Sequence, residues 1–234
     1  MHGIPRSRSV ALLGASLLLT ACADGALAPS TPQMAQQPSQ SAAALQQTAM
    51  VNWHAQQAVN GRTGQVADAS ATLVRNANGI SFRLSTTGLT PGNAYTLWLV
   101  VITNPEACTA TPCTAPNIFN AATESQVRFA AGHVAGGSGK GTFAGSVKEG
   151  TLSGWLPDRS FDDAMGVSVH LVINDHGPML PEHMPGMIHT YRGGCSDASP
   201  FPPIFGVPPS TALADGEAGP NICRLYQAAT FEAP

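Results

Sequence analysis

The chain has 234 residues, of which only 11% are charged, and its formal net charge is −3 at pH 7. Globular proteins usually contain about 25% charged residues, so this chain is charge-poor as well as weakly acidic. No stretch of it forms the basic stripe that nucleic-acid binding requires, and we therefore exclude nucleic acid as a partner.

The first 21 residues are predicted to be a lipoprotein signal peptide. Arg6 and Arg8 give a positive start, and residues 10–19 are almost wholly apolar. This run is shorter than the roughly 20 apolar residues that a membrane-spanning helix needs. It ends in the letters LTAC, which resemble the lipobox of bacterial lipoproteins. The resemblance implies that Cys22 is acylated, for example with palmitate, and becomes the new N-terminus. The alternative is an ordinary signal peptide with an incidental cysteine.

Acyl chains on Cys22 would hold the protein at a membrane surface, since each buried methylene contributes about 0.8 kcal/mol. Ala23 follows the cysteine, and Asp24 comes one residue later. In lipoprotein sorting, Asp directly after the cysteine retains a protein in the inner membrane, so the lipobox resemblance with Ala23 favours the outer membrane. We expect a lipid-anchored protein of the cell envelope that faces the periplasm or the cell surface.

Four further cysteines predict two disulfides, because an exported chain with an even number usually pairs them. Sequence order favours the pairs 108–113 and 195–223, although four cysteines allow three connectivities. The alternative is a zinc site formed by four thiolates, but the spacings do not resemble paired CxxC motifs. The cysteines concerned are Cys108, Cys113, Cys195 and Cys223.

Residues 22–60 are predicted to form a tether between the lipid anchor and a folded domain. The stretch is rich in Ala, Gln, Pro and Ser, a composition that cannot bury a core. Residues 42–59 are weakly patterned for a short helix within it. From residue 61 to residue 234 the pattern is that of a β domain.

The domain 61–234 contains seven predicted strands, separated by Gly- and Pro-rich turns. Residues 76–79, Asn-Ala-Asn-Gly, give a hairpin turn signal, and a tight connection through Pro91 and Gly92 joins the second and third strands. The third strand is apolar on both faces, which predicts a central strand. The predicted strands are residues 69–75, 80–85, 94–103, 126–135, 140–148, 166–174 and 222–231.

These strands, with no strong helix among them, predict an all-β fold. We expect a Greek-key antiparallel β-sandwich of immunoglobulin-like type with long disulfide-stapled loops. The longest predicted loop, residues 196–221, is rich in proline and would be closed by the 195–223 disulfide.

Residues 88–95, GLTPGNAY, resemble the tyrosine-corner segment of fibronectin type III domains. They also resemble copper–zinc superoxide dismutase and the CHRD domain, which share a sandwich architecture. The fibronectin resemblance implies that the ring of Tyr95 is buried and that its hydroxyl bonds to the backbone near Leu89. The words GLTPGNAYTLW, HGP and GGC further resemble a group of secreted bacterial proteins, and that likeness implies no activity.

Superoxide dismutase needs a His-x-His copper motif on the strand after the Pro-Gly turn. Leu97 and Leu99 stand at the matching positions of this chain, and apolar side chains cannot ligate copper. We therefore expect no dismutase activity. The sequence also offers no other catalytic constellation, so we do not predict an enzyme.

Histidines and methionines cluster between residues 170 and 189, and they allow two interpretations. Imidazole and thioether groups are ligands that copper favours. The interpretation we favour is that the histidines are scattered at a loop surface, while the methionines turn inward and pack. The residues are His170, His176, His183 and His189 with Met179, Met184 and Met187.

The sequence therefore predicts a membrane-anchored envelope lipoprotein that serves as a non-catalytic binding or accessory module and needs no cofactor. Its expected partners are the membrane, through the anchor, and an envelope protein. The alternative is a periplasmic copper- or other metal-binding protein that uses the His/Met segment.

Overall fold

The structure, a computed structural model, describes residues 44–181, 184–189 and 224–234. The signal peptide, Cys22, His183, Cys195 and Cys223 lie outside these ranges. The described strands are β1 (Leu45–Trp53), β2 (Gln65–Asn76), β3 (Gly79–Thr86), β4 (Asn93–Ile102), β5 (Ser125–Val134), β6 (Gly141–Lys148), β7 (Gly150–Leu152), β8 (Arg159–Phe161), β9 (Ser168–Pro178) and β10 (Arg224–Phe231). The described α-helices are α1 (Ala115–Ile118) and α2 (Met184–Met187), and 3-10 helices span Ala55–Asn60, Pro105–Ala107 and Ala121–Thr123.

Eight of these strands form one antiparallel sheet in the order β5-β4-β9-β10-β1-β2-β3-β6, and β7 pairs with β8 separately. The two edge strands, β5 and β6, follow each other in the chain. The sheet curls until they approach, with the rings of His133 on β5 and Phe143 on β6 5.8 Å apart. The predicted all-β, antiparallel, sandwich-like fold class is thereby confirmed, in the form of a nearly closed sheet around one core.

Strand β4 is an internal strand covered on both faces, as its apolar pattern predicts, although it is not at the centre of the sheet but next to the edge strand β5. All ten of its residues are buried, and it pairs with β5 on one side and β9 on the other. Its inward side chains join the main core, and its outward side chains join a second apolar cluster on the outer face. Because β4 is buried on both faces, other segments of the chain must cover the outer face of the sheet at this strand.

Strands β3 and β4 are not neighbours, although a tight connection links them. Strand β3 pairs with β2 and β6 instead, so the connection crosses an end of the sheet. Gly88, in this connection, has a φ of 72°, and a Cβ placed there would lie 2.9 Å from the ring of Trp53. The close approach of the chain to that ring therefore requires glycine at position 88.

The structure corrects the tether prediction at its C-terminal end. Leu45–Trp53 is strand β1, paired with β2 and β10, so the predicted helix over residues 42–59 is wrong there. The sheet also begins before the predicted domain boundary at residue 61. Only Ala55–Asn60, a 3-10 helix after the strand, is helical. Pairing with two partner strands outweighs the weak local pattern of this segment.

Candidate functional site

The outer face of β4 is covered by the loop between β4 and β5 and by Trp155 and Leu156 of the connection between β7 and β8. The predicted Cys108–Cys113 disulfide is present in the β4–β5 loop and joins Cα atoms 5.5 Å apart. Helix α1 follows, and the side-chain oxygen of Asn117 accepts hydrogen bonds of 2.9 Å from both the backbone N–H and the hydroxyl of Thr114. The backbone oxygen of Asn117 accepts another from the Thr123 hydroxyl at 2.8 Å. These bonds fix the loop in one conformation.

Between this loop and the sheet lies a cavity of about 300 Å³, which we call the outer pocket. Its volume is at the lower end of the range for small-molecule sites. Its floor is formed by the outward side chains of β4, β9 and β10, and one of its lining residues, Phe119, is 59% exposed. The lining residues are His54, Trp98, Val100, Cys113, Ala115, Ile118, Phe119, Val127, Trp155, His170, Val172, Asn174, Leu225, Ala228 and Thr230.

His170 lies on the floor of the outer pocket and is only 8% exposed. It faces Val100 of β4 and Thr230 of β10 in the strand register. Its Nε2 has no hydrogen-bond partner within the described ranges. Burial lowers the pKa of its imidazole to about 4, so the ring is neutral at pH 7. A neutral imidazole has one nitrogen that donates and one that accepts.

Asn174 is the second polar group of the floor, four residues further along β9. It is 7% exposed, and its Oδ1 also lacks a partner in the part of the chain that the structure describes. Since a strand rises about 3.3 Å per residue, the Cα atoms of His170 and Asn174 are about 13 Å apart. Val172 lies between them on the same face. The floor is thus an apolar strip with a polar group towards each end.

Aromatic rings form one wall of the pocket. The rings of Trp98 and Trp155 are in contact, with centroids 4.2 Å apart. The indole N–H of Trp98 donates to the hydroxyl oxygen of Thr96 at 2.8 Å. Gln126 holds the backbone next to Trp155, because its amide donates to the Leu156 carbonyl and accepts from the Leu156 N–H, at 2.8 and 2.9 Å. The aromatic wall is therefore fixed on both sides.

The lining of the outer pocket contains no Asp, Glu, Lys or Arg among the residues that the structure describes. Its polar groups are two imidazoles, one amide, one hydroxyl and two indole N–H groups. The pKa of His54 is lowered by burial, like that of His170. The site is suited to holding an uncharged molecule by apolar contact and hydrogen bonding, because it offers an ion no opposite charge.

The predicted histidine cluster is only partly a loop. Strand β9 continues to Pro178, so His176 belongs to a strand and is fully buried. Its Nε2 shares a 2.7 Å hydrogen bond with the hydroxyl of Thr96. The expectation of a loop surface is therefore wrong for His176, and it is also wrong for His170, which is buried on the same strand. His170 and His176 lie on the same face of β9 about 20 Å apart, too far to bind one ion.

The segment after β9 packs against the edge of the sheet. Met187 is fully buried beside Ala94, which confirms the inward packing predicted for that methionine. A Cβ on Gly132 of β5 would collide with the backbone oxygen of Ile188, so this contact also requires glycine. His189 is exposed, as predicted, and its ring lies 4.7 Å from that of Phe129.

Within the described ranges, no three His, Cys, Asp or Glu side chains are close enough to hold a metal ion together. Leu97 and Leu99, at the positions of the dismutase copper ligands, are completely buried in the main core. The outer pocket itself is not among the sites that the sequence predicts. A usable signal is the series Ser168, His170 and Asn174, polar residues that alternate with apolar ones on β9.

Comparison of the chain with protein-family models, with curated proteins and with solved structures found no match. In the described part of the chain, no helix is both long enough and apolar enough to cross a membrane.

Proposed function

We propose that this chain is a membrane-anchored lipoprotein of the cell envelope that acts as a non-catalytic binding module. The ligand is a small molecule, and the outer pocket is its binding site. The anchor is proposed from the LTAC lipobox and Cys22. The proposal of a binding role is drawn from the construction of the pocket.

The observation that carries this proposal is the pair of polar side chains on the pocket floor. His170 and Asn174 are each more than nine-tenths buried, and each has a polar atom without a partner in the described ranges. Buried polar atoms without hydrogen bonds are unfavourable and uncommon. Two of them in one apolar cavity under a disulfide-held loop are typical of a site that receives its hydrogen bonds from a ligand.

The test of the binding role is to fill the pocket. Ala228→Phe places a large ring on the floor, and Ala144→Phe is the matched control, because Ala144 is exposed on β6 and does not line the cavity. The full chain would be titrated in nanodiscs with N-phenyl-1-naphthylamine, an uncharged dye that fluoresces in apolar sites. We expect saturable binding by the wild type and by Ala144→Phe, and none by Ala228→Phe. Equal signals from all three proteins would contradict the proposal.

The test of the anchor is detergent phase partition. The wild type is expected in the detergent phase and Cys22→Ala in the aqueous phase or unprocessed, because the variant cannot be acylated at that position. Ala23→Ser is a control that leaves the cysteine in place. Recovery of the wild type in the aqueous phase would refute the anchor and leave the binding role to its own test.

A further inference from the structure

Resting on the proposed binding role, we infer that the outer pocket selects an uncharged, aromatic small molecule that carries a hydrogen-bond donor, and that either His170 or Asn174 accepts the hydrogen bond from that donor. Three properties of the pocket lead to this ligand class: its lack of charge, its aromatic walls and the kind of polar atom that lacks a partner.

The first property is charge. None of the lining residues carries a formal charge, since His170 is neutral with a pKa near 4 and the pKa of His54 is also lowered. An ionic ligand would lose its hydration on entry and would meet no counter-charge. The uncharged form of a ligand is therefore strongly favoured.

The second property is shape. Trp98 and Trp155 form a wall of aromatic rings in contact with each other, and Phe119 adds another ring to the lining. Aromatic groups stack on such rings with a preference over aliphatic groups of equal area. The strip between His170 and Asn174, about 13 Å long, fits a flat molecule that lies along β9.

The third property is polarity. The Oδ1 of Asn174 can only accept a hydrogen bond, and the Nε2 of a neutral His170 accepts in the tautomer that has its proton on Nδ1. Both atoms are buried and have no partner in the described ranges. An N–H or O–H group on the ligand satisfies either of them, whereas a ligand with only acceptors cannot satisfy Asn174.

The experiment compares three molecules with the same naphthyl and phenyl rings. N-phenyl-1-naphthylamine is uncharged and has one N–H. 8-Anilinonaphthalene-1-sulfonate adds a negative charge, and 1-phenoxynaphthalene replaces the N–H by an ether oxygen. Each is measured with the full chain in nanodiscs, directly or by displacement of the amine, and the Ala228→Phe protein gives the lipid background.

We expect the amine to bind at least about tenfold more tightly than the sulfonate and about tenfold more tightly than the ether. Because the amine has a single N–H and the two acceptors lie at opposite ends of the floor, one of the variants His170→Phe and Asn174→Leu, which keep the size of the floor, is expected to weaken the amine about 5–10-fold. Both variants should leave the ether unchanged. His133→Phe is the control, because this histidine lies on β5 outside the pocket lining.

Each outcome decides a separate statement. Equal affinity for the amine and the sulfonate would overturn the selection against charge. Equal affinity for the amine and the ether would overturn recognition of the donor, and this comparison needs no variant to fold. An unchanged amine affinity in both folded variants would overturn the roles of His170 and Asn174. Failure of all three molecules to bind would instead refute the proposed binding role itself.

Discussion

The backbone N–H of Thr90 donates a 2.8 Å hydrogen bond to the hydroxyl oxygen of Tyr95. The ring of Tyr95 is fully buried, so the corner implied by the fibronectin resemblance is confirmed, with the backbone group as donor. The hydroxyl also lies 3.5 Å from the carboxylate of Asp175. The hydrogen bond between Thr90 and Tyr95 ties the β3–β4 connection to the start of β4. It therefore supports β4, which forms part of the floor of the outer pocket.

Tyr95→Phe removes the hydroxyl that accepts from the backbone N–H of Thr90, and this N–H loses its hydrogen-bond partner. We expect a loss of about 1–3 kcal/mol in the free energy of unfolding, measured by urea denaturation, because a partly buried donor loses its partner. Tyr226→Phe is a useful comparison, since the hydroxyl of Tyr226 donates to the Gly88 carbonyl at 2.8 Å in the same connection. A loss near zero for Tyr95→Phe would show that the corner does not stabilise the fold.

Arg75 is a completely buried cation that joins strand β1 to the connection between β8 and β9. Its guanidinium donates to the Ala164 and Val167 carbonyls at 2.9 and 2.7 Å and to the Gln47 side chain at 2.7 Å. Arg75→Met should lower the free energy of unfolding by about 3–5 kcal/mol, since several neutral acceptors would be left buried without a donor, at about 1–3 kcal/mol each. Arg83→Met, at an exposed position of β3, should change it by about 0.5 kcal/mol or less. Similar losses in the two variants would contradict this account.

The Cys108–Cys113 bridge is expected to matter more for the pocket than for the fold. It closes a short loop, for which the chain-entropy estimate is about 2 kcal/mol. Cys108→Ala breaks the bridge and keeps the Cys113 side chain in the lining. We expect that small loss of stability together with severalfold weaker binding of N-phenyl-1-naphthylamine. If only Cys108→Ala/Cys113→Ala weakened binding, the Cys113 side chain and not the bridge would be the cause.

The burial of His170 gives a pH dependence of stability with a definite sign. Its pKa is about 4 in the folded protein and about 6.5 in an unfolded chain. Below pH 6.5 the unfolded state takes up the proton first, so the folded state loses stability as the pH falls from about 6.5 to 4. The full effect is up to about 3 kcal/mol.

Asp175 acts in the opposite direction, because burial raises its pKa to about 6. The folded state then holds the proton more tightly, and stability falls as the pH rises from about 4 to 6. The two effects are separated by variants. His170→Phe should lose the acid-side decrease, and Asp175→Asn the decrease towards pH 6, in denaturation curves between pH 4 and 7. His133→Phe controls for the removal of an imidazole, and unchanged pH profiles in both test variants would contradict these assignments.

The strands of this fold were predictable wherever apolar residues alternate without interruption. In strand β1, inward and outward residues also alternate. One of the inward residues is Gln47, which breaks the apolar pattern. Gln47 is tolerated there because Arg75, from β2, donates to its side chain, and this is a tertiary contact that the local pattern does not contain. Because the apolar pattern is broken at Gln47, the sequence predicted a tether where the structure has strand β1.

The outer pocket was not predictable from the local sequence. Its floor depends on the register that sets Thr230 and Val100 beside His170, and its cover depends on the path of the Cys108–Cys113 loop. The even number and the order of the cysteines did predict the Cys108–Cys113 bridge. His170 and Asn174 share a face because both lie on β9, four residues apart. That this face is covered and apolar follows only from packing between distant segments.

The central claim, that the outer pocket binds a small uncharged molecule, is tested most directly by a crystal structure of the full chain with N-phenyl-1-naphthylamine. We predict one molecule on the floor between Trp98 and Val172, with its N–H within 3.2 Å of His170 Nε2 or Asn174 Oδ1, a distance of about hydrogen-bond length. A pocket filled by the chain's own residues, or the dye bound only elsewhere on the protein, would contradict the claim.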